Sequence, residues 1–149
     1  MFRHILVPTD GSRLSMKAAR YAALLARRTG ARITALHVIP PFRLPAYAEG
    51  VIAYPELYSE PEYEKSTERY ARKLLARVEA VAKAARVRCD TVFVTDERPW
   101  KAIIRKARAQ RCGLIVMSSH GRGGIAAVIL GSETAKVLTH SKTPVLVCR

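Results

Sequence analysis

A glycine-rich stretch in the last third of the chain carries the residue types best suited to binding an anionic ligand. Residues 118–124 read Ser-Ser-His-Gly-Arg-Gly-Gly, and a predicted helix starts further on, at Gly131 and Ser132. Glycines permit close approach of the backbone, and amides at a helix N-terminus favour anionic oxygens. The pattern predicts a phosphate-binding cradle. The alternative is that the glycines only form a flexible turn.

Three better-known classes of phosphate-handling domain do not account for this stretch. A P-loop needs a Gly-Lys pair, which the chain lacks. Residues 121–126 match the G-x-G-x-x-[GA] pattern of dinucleotide-binding domains, but no acidic residue follows Glu133 to hold a ribose. A phosphate-accepting receiver domain, with Asp96 and Lys142 as candidates, needs an acidic cluster after the first strand, and only Asp10 is there.

The cysteines and histidines are too scattered to predict a metal site. The three cysteines include no C-x-x-C spacing, and the four histidines show no ligand spacing. We expect Cys89, Cys112 and Cys148 to be small buried residues in a reducing compartment.

Apolar runs and helical periodicity alternate along the chain. The apolar runs predict strands at 4–8, 33–39, 90–95, 114–117 and 144–148. Helical spacing predicts helices from Ser12 to Gly30, from 62 to about 85, from Pro99 to about 107 and from 131 to 139. Such apolar strands are covered by helices on both faces. The chain is therefore expected to form one α/β domain, 1–149, around a single doubly wound five-stranded parallel sheet, which would bind ligands at the carboxyl ends of its strands.

The chain is strongly basic. It has 26 Lys and Arg against 12 Asp and Glu, which is a formal net charge of +14. This charge attracts polyanions, whether nucleic acid, nucleotide phosphates or an acidic membrane. No apolar run is long enough to span a bilayer, so we expect a soluble, cytoplasmic protein that does not act at a membrane. We interpret the proline-rich segment 40–61 as a flap or partner-contact segment, the alternative being an insertion without a role.

Two further motifs complete the pattern: the turn Pro8-Thr9-Asp10-Gly11-Ser12 and the closing run Thr143–Val147. With them, the whole chain resembles the universal stress protein family. The family's ATP-binding signature is G-x-x-G, nine residues, then G-[ST]. Gly121, Gly131 and Ser132 fit its last three fixed positions, and Ser118 replaces its leading glycine. We expect Ser118→Gly to leave ATP affinity unchanged or to raise it by up to about tenfold.

The resemblance implies a nucleotide site with two ends. The positions at the adenine and ribose end are Pro8, Thr9, Asp10, Val38, Met117 and Ser118. Those at the phosphate end are Gly121, Gly131 and Ser132, with Ser119, His120 and Arg122 close by. Each position has a structural alternative: Asp10 and Ser12 could only cap the turn and helix, His120 could only bond a loop carbonyl, and Val38 could be ordinary core.

The resemblance also implies a function and an assembly. It implies an ATP-binding stress-response or signalling module, with Mg²⁺ accompanying the nucleotide and an unidentified protein partner. Hydrolysis should be slow or absent, because Asp10 and Glu133 are the only carboxylates in these turns. The alternatives are an ATPase or phosphotransferase, and a basic nucleic-acid-binding protein; the latter is disfavoured because no RNP-like aromatic motif occurs.

The strand order that the resemblance implies is 3-2-1-4-5. This order leaves residues 144–148 at a sheet edge. Val145, Leu146 and Val147 make that edge apolar, and an unpaired apolar edge invites a second strand. The expected assembly is a homodimer joined through this strand.

Overall fold

The computed structural model describes residues 2–43, 59–121 and 130–149. In chain order the elements are β1 (His4–Pro8), α1 (Arg13–Thr29), β2 (Arg32–Ile39), α2 (Glu60–Ala84), β3 (Cys89–Thr95), α3 (Pro99–Ala109), β4 (Leu114–Ser118), α4 (Ser132–His140) and β5 (Val145–Cys148). The strands form one parallel sheet in the order β3-β2-β1-β4-β5. The predicted fold and strand order are confirmed.

Two apolar layers cover the sheet because successive side chains of the central strands point to opposite faces. Ile5 and Val7 of β1 pack with α1 and α2 on one face, whereas Leu6 packs with α3 and α4 on the other. The inner face of α1 is built from alanines, which let this helix lie close to the strands. The layers thereby hold the carboxyl ends of β1, β2 and β4 at one edge of the domain.

The helix ends follow from local capping. The Ser12 side chain accepts a hydrogen bond from the Ser15 amide at the start of α1, and Gly30 ends the helix with a φ of 70°; both roles were predicted. The next helix, α2, begins at Glu60, two residues before the predicted start, because Ser59 caps it and accepts from the Glu62 amide.

The edge strands are less covered than the central strands. β3 and β5 are only partly buried because each pairs with a neighbour on one side only. For the same reason Cys89, on β3, is half-buried, while Cys112 and Cys148 are buried as expected. Burial raises the pKa of the Cys89 and Cys112 thiols to about 11, so both remain protonated near neutral pH.

Some residues named in the sequence analysis lie outside the described ranges, and the membrane expectation can be compared only with the described helices. Residues 44–58 of the predicted flap, and Arg122, lie outside the described residues. None of the helices within the described ranges combines the length and apolar character that a bilayer crossing requires.

A buried histidine stands at the amino end of the sheet. The Nδ1 atom of His4 lies 3.1 Å from the Gln110 carbonyl oxygen and its Nε2 lies 2.8 Å from Thr34 Oγ1. Because a carbonyl only accepts, Nδ1 carries the proton and Nε2 can accept from the threonine hydroxyl. Burial, and then the charge of Arg32, lower the pKa of His4, so the folded state favours the neutral ring.

This pKa shift predicts acid sensitivity. Above pH 6.5 the His4 ring is neutral in both the folded and the unfolded chain, so its titration does not change the free energy of unfolding. Below pH 6.5 the unfolded chain takes up a proton that the folded chain does not, so stability falls by up to about 1.4 kcal/mol per pH unit until the folded pKa is reached. In urea unfolding, the stability gap between wild type and His4→Asn should therefore narrow as pH falls from 7 to 5. A constant gap would contradict the assignment.

Candidate functional site

A cleft of about 540 Å³ opens at the carboxyl ends of β1, β2 and β4. This volume lies in the range of small-molecule sites. Its walls come from the β1–α1 turn, the end of β2, the exit of β4 and the first turn of α4. Doubly wound sheets place ligands at this point, where the strand order reverses between β1 and β4.

The β1–α1 turn forms the first wall and is held by hydrogen bonds within it. The Thr9 amide donates to the Leu36 carbonyl at 2.8 Å, which ties the turn to β2. Thr9 Oγ1 lies 2.9 Å from Ser15 Oγ, and Asp10 Oδ1 accepts from the Ser12 amide at 3.0 Å. Asp10 thus caps the turn, as its structural alternative held, and also lines the cleft.

The exit of β4 forms the opposite wall. Ser118 Oγ donates to the His120 carbonyl at 2.8 Å, and Thr134 Oγ1 donates to the Ser118 carbonyl at 2.9 Å. The Gly131 amide donates to the Ser119 carbonyl at 2.7 Å. These bonds fix the start of α4 against the end of β4.

Glycine is required at two positions of the cleft because other atoms of the protein lie where a Cβ would be. A Cβ at Gly121 would lie 2.8 Å from Asp10 Oδ2, so the two walls meet at that point. A Cβ at Gly131 would lie 3.0 Å from the Ser119 carbonyl oxygen. Glycine at 131 is therefore needed by the protein's own backbone, and its amide is already donated to Ser119.

The first turn of α4 supplies donors to the cleft. Gly131 is the N-cap, and the side chains or backbone of Ser132, Glu133 and Thr134 line the cleft. The leading amides of a helix have no intrahelical acceptor and carry partial positive charge. Such a turn can bind an anionic oxygen.

Two polar residues of the cleft, His37 and Glu133, were not predicted as ligand contacts, although Glu133 was named from the sequence as one of the two carboxylates in these turns. His37 Nδ1 donates to the Thr9 carbonyl at 2.8 Å, and its ring packs edge-on against Tyr70 at 6.0 Å. Glu133 Oε2 accepts from the Trp100 amide at 2.9 Å and Oε1 accepts from Lys136 Nζ at 3.0 Å. The carboxylate of Glu133 thus joins α4 to the first turn of α3.

Most of the residues predicted for the site border this one cleft. Those that do are Pro8, Thr9, Asp10, Val38, Met117, Ser118, His120, Gly121, Gly131 and Ser132. Ser119 is buried behind the wall, where its hydroxyl lies 3.0 Å from His120 Nδ1. The lining residues that sequence reasoning missed are Ser15, Leu36, His37, Pro99, Ile103, Glu133 and Thr134. Adjacency to Val38 and Ser132 was the available signal for His37 and Glu133.

The lining combines apolar side chains with hydrogen-bond donors. Val38, Ile103 and Met117 supply apolar surface, and the first turn of α4 supplies donors. In the described part of the chain, no group of three His, Cys, Asp or Glu side chains is placed to hold a metal ion. The arrangement suits a ligand with a flat apolar part and an anionic part.

Comparison with known proteins gives a consistent result. The model of the universal stress protein family matches residues 1–149. The "Universal stress protein in QAH/OAS sulfhydrylase 3'region" of Thermus aquaticus is 32% identical over 150 residues, covering 100% of both chains.

Two solved structures share the fold and hold nucleotides. A universal stress protein in complex with cAMP superposes with a TM-score of 0.71 at 24% identity, covering 99% of this chain and 97% of that one. The universal stress protein of Archaeoglobus fulgidus in complex with dAMP gives a TM-score of 0.67 at 19% identity, covering 97% and 96%.

Proposed function

The chain belongs to the universal stress protein family, and from that premise we propose that residues 1–149 form an ATP-binding stress-response or signalling domain. The observation that carries the proposal is the cleft, which combines apolar lining residues with the first turn of α4. The cAMP and dAMP complexes of fold relatives support a nucleotide as the ligand class.

The base and ribose would lie against the apolar lining residues. Val38 and Met117 offer apolar contact for a flat ring, and both line the cleft. The carboxylate of Asp10 lines the cleft and is held in place by the Ser12 amide, and we assign it to the ribose hydroxyls. The carbonyl of Leu36 is already taken by Thr9, which leaves the end of β2 fixed beside the base.

The phosphates would lie at the first turn of α4. Because the Gly131 amide is donated to Ser119, the amides that follow it and the Ser132 hydroxyl are the donors we assign to the phosphates. Gly131 contributes by letting α4 start close to β4. Mg²⁺ would be carried chiefly by the phosphate oxygens and water, as it usually is with nucleotides.

Turnover should be slow. Both oxygens of Glu133 are engaged, by the Trp100 amide and by Lys136, and Asp10 Oδ1 accepts from Ser12. Both carboxylates thus make structural hydrogen bonds, and we assign neither of them to an attacking water. The enzyme alternative, an ATPase or phosphotransferase, predicts multiple-turnover phosphate release instead.

The proposal is tested by titration calorimetry of the protein with ATP and Mg²⁺, alongside adenosine and inorganic triphosphate. We expect ATP to bind more tightly than either fragment, because it would use both the apolar lining and the donors of the cleft. A phosphate-release assay on the same samples separates the binding module from the enzyme. No heat and no thermal shift at millimolar ATP would contradict the proposal.

Ser118 offers a sharper test, because it replaces the leading glycine of the family signature. Its hydroxyl donates to the His120 carbonyl, so glycine would remove both a Cβ and a loop hydrogen bond. Such a bond contributes about 1 kcal/mol. We expect Ser118→Ala, which loses only the bond, to weaken ATP binding about threefold to tenfold.

Ser118→Gly is the matched partner of that variant. Relative to Ser118→Ala, it should bind ATP equally well or up to about tenfold more tightly, because only the Cβ differs. Since Ser118→Gly also loses the loop hydrogen bond, this comparison replaces the sequence-based expectation that it binds ATP at least as tightly as wild type. Calorimetry on the pair isolates the effect of the Cβ. Weaker binding by Ser118→Gly than by Ser118→Ala would instead show that loop rigidity governs the affinity.

We further propose that the protein acts as a homodimer through β5 and works with a protein partner in the cytoplasm. β5 pairs with β4 on one side only, and Leu146 on it is 42% exposed. The free cysteines of the described residues suit a reducing compartment. The dimer is tested by the variant pair described in the Discussion.

A further inference from the structure

A second cleft, of about 620 Å³, lies between α3 and the C-terminal end of α4. The residues on which its properties depend are Trp100, Lys101, Ile104, Arg105, Arg108 and His140. We call it the α3 groove. None of these six residues lines the first cleft, at the carboxyl ends of β1, β2 and β4, which we call the nucleotide cleft after the function proposed for it.

The α3 groove is a cationic surface. The α3 helix contains Lys101, Arg105, Lys106 and Arg108 and no acidic residue. Lys101, Arg105 and Arg108 stand at i, i+4 and i+7, so they share one face of the helix. Arg105 contacts Asp96 at 2.9 Å, whereas Lys101 and Arg108 form no ion pair with any described residue.

An aromatic pair adjoins these cations. The rings of Trp100 and His140 are 4.8 Å apart and inclined by 31°, and the ammonium of Lys101 lies 5.3 Å from the Trp100 ring centroid. Trp100 is half-buried, whereas His140 is exposed. The stack therefore ends in a ring that a further planar group can cover.

We propose that the α3 groove binds single-stranded nucleic acid. The phosphates of the nucleic acid would contact Lys101, Arg105 and Arg108. These residues are spaced by helical rises of about 6 Å and about 4.5 Å along α3. One base would stack on His140 and extend the Trp100 pair. Cations that follow a backbone beside an aromatic platform are the combination that binds single strands without sequence preference.

An acidic peptide is the competing occupant. It would neutralise the same cations but make no use of the aromatic pair. The net charge of +14 attracts either polymer, so the stack is the feature that favours nucleic acid. This proposal does not depend on a ligand in the nucleotide cleft. It differs from the expectation based on sequence alone, in which a nucleic-acid-binding function was disfavoured.

Trp100 is the only tryptophan of the chain, so its fluorescence reports on the groove directly. Titration with a twelve-nucleotide oligothymidylate should quench this fluorescence to saturation. With three phosphate contacts, the slope of log K against log salt should be about −2. Saturating ATP should leave the titration unchanged. Displacement of the oligonucleotide by ATP would locate it in the nucleotide cleft and overturn the proposal.

A charge-matched pair of double variants separates the groove from the general positive charge. Lys101→Glu with Arg108→Glu should weaken oligonucleotide binding at least tenfold and reduce the salt slope by about 1.4. The control, Arg69→Glu with Lys73→Glu, changes one exposed arginine and one exposed lysine of α2 and lowers the net charge equally. It should weaken binding less than threefold. Equal losses in the two variants would overturn the proposal.

The aromatic contribution is tested separately. His140→Ala should weaken oligonucleotide binding at least fivefold and leave the salt slope unchanged, because stacking releases no counterions. Polyglutamate of equal length serves as the acidic-peptide probe. If polyglutamate binds as tightly as the oligonucleotide, or if His140→Ala binds like wild type, the occupant is an acidic polypeptide and the nucleic-acid proposal is wrong.

Discussion

Replacing Ser132 by aspartate should abolish ATP binding while leaving the fold intact or more stable. Ser132 is the exposed first residue of α4, at the edge of the nucleotide cleft. A carboxylate in a first helical turn stabilises the helix by about 0.3 to 1 kcal/mol. The same carboxylate would occupy the donors assigned to the phosphates and repel the triphosphate. We expect at least a hundredfold loss of affinity, about 2.8 kcal/mol, by calorimetry.

This prediction has two controls, an uncharged variant at position 132 and a ligand without phosphates. Ser132→Asn has nearly the shape of aspartate without its charge, so it should bind ATP within about fivefold of wild type. Adenosine should bind Ser132→Asp as it binds wild type, because it carries no phosphate. Retained ATP affinity in Ser132→Asp would show that the phosphates lie elsewhere.

This variant is cleaner than a substitution at Gly131. A side chain at 131 would approach the Ser119 carbonyl oxygen to 3.0 Å and the His120 Cα to 3.3 Å. Gly131→Val would therefore displace the start of α4 whether or not a phosphate binds there. Loss of binding in that variant would not distinguish a phosphate contact from a distorted loop.

Leu146→Lys should convert the proposed dimer to a monomer. β5 is an edge of the sheet, and in the proposed dimer the pairing of two β5 strands and the burial of Leu146 from each chain oppose the repulsion between two chains of charge +14. A lysine would place two further charges at the centre of that interface. In sedimentation equilibrium at micromolar concentration, we expect about twice 16.5 kDa for wild type and 16.5 kDa for the variant.

Leu138→Lys is the matched control. Leu138 on α4 is 42% exposed, as Leu146 is, and lies off the edge strand. It should keep the wild-type mass. A wild-type mass of 16.5 kDa would contradict the dimer, and a dimeric Leu146→Lys would place the interface elsewhere.

Sequence reasoning predicted the frame of the molecule well because strong local signals bound most elements. β1 ends at Pro8, where the apolar run stops, and α1 lies between the Ser12 cap and Gly30. The position of the cleft at the carboxyl ends of β1, β2 and β4 was predicted from turns that follow different strands, since parallel strands bring their carboxyl ends to one edge. The ends of these elements depend on short sequence segments, and the position of the cleft depends on the strand order, so both could be predicted.

The remainder depends on contacts between distant segments. Nothing local to Gly131 indicates that its amide is donated to Ser119, or that Glu133 caps α3 through the Trp100 amide. His37 reads as a polar interruption in an apolar strand until its bond to Thr9 is seen. The partial exposure of β3 and β5 likewise follows from their places at the edges, which periodicity does not report.

The central position of β1 couples ligand binding to the completion of folding. β1 pairs with β2 and with β4, and the second pairing brings Ile5 opposite Leu114. Both walls of the nucleotide cleft meet only after this long-range pairing, which is a slow kind of contact to form. A nascent chain that has released only its first strands has no cleft, and a nucleotide that binds the cleft would therefore bind the folded state alone. At a hundred times its dissociation constant, bound ATP would therefore raise the free energy of global unfolding by about 2.7 kcal/mol. The melting temperature of the domain would then rise and fall with the concentration of free nucleotide.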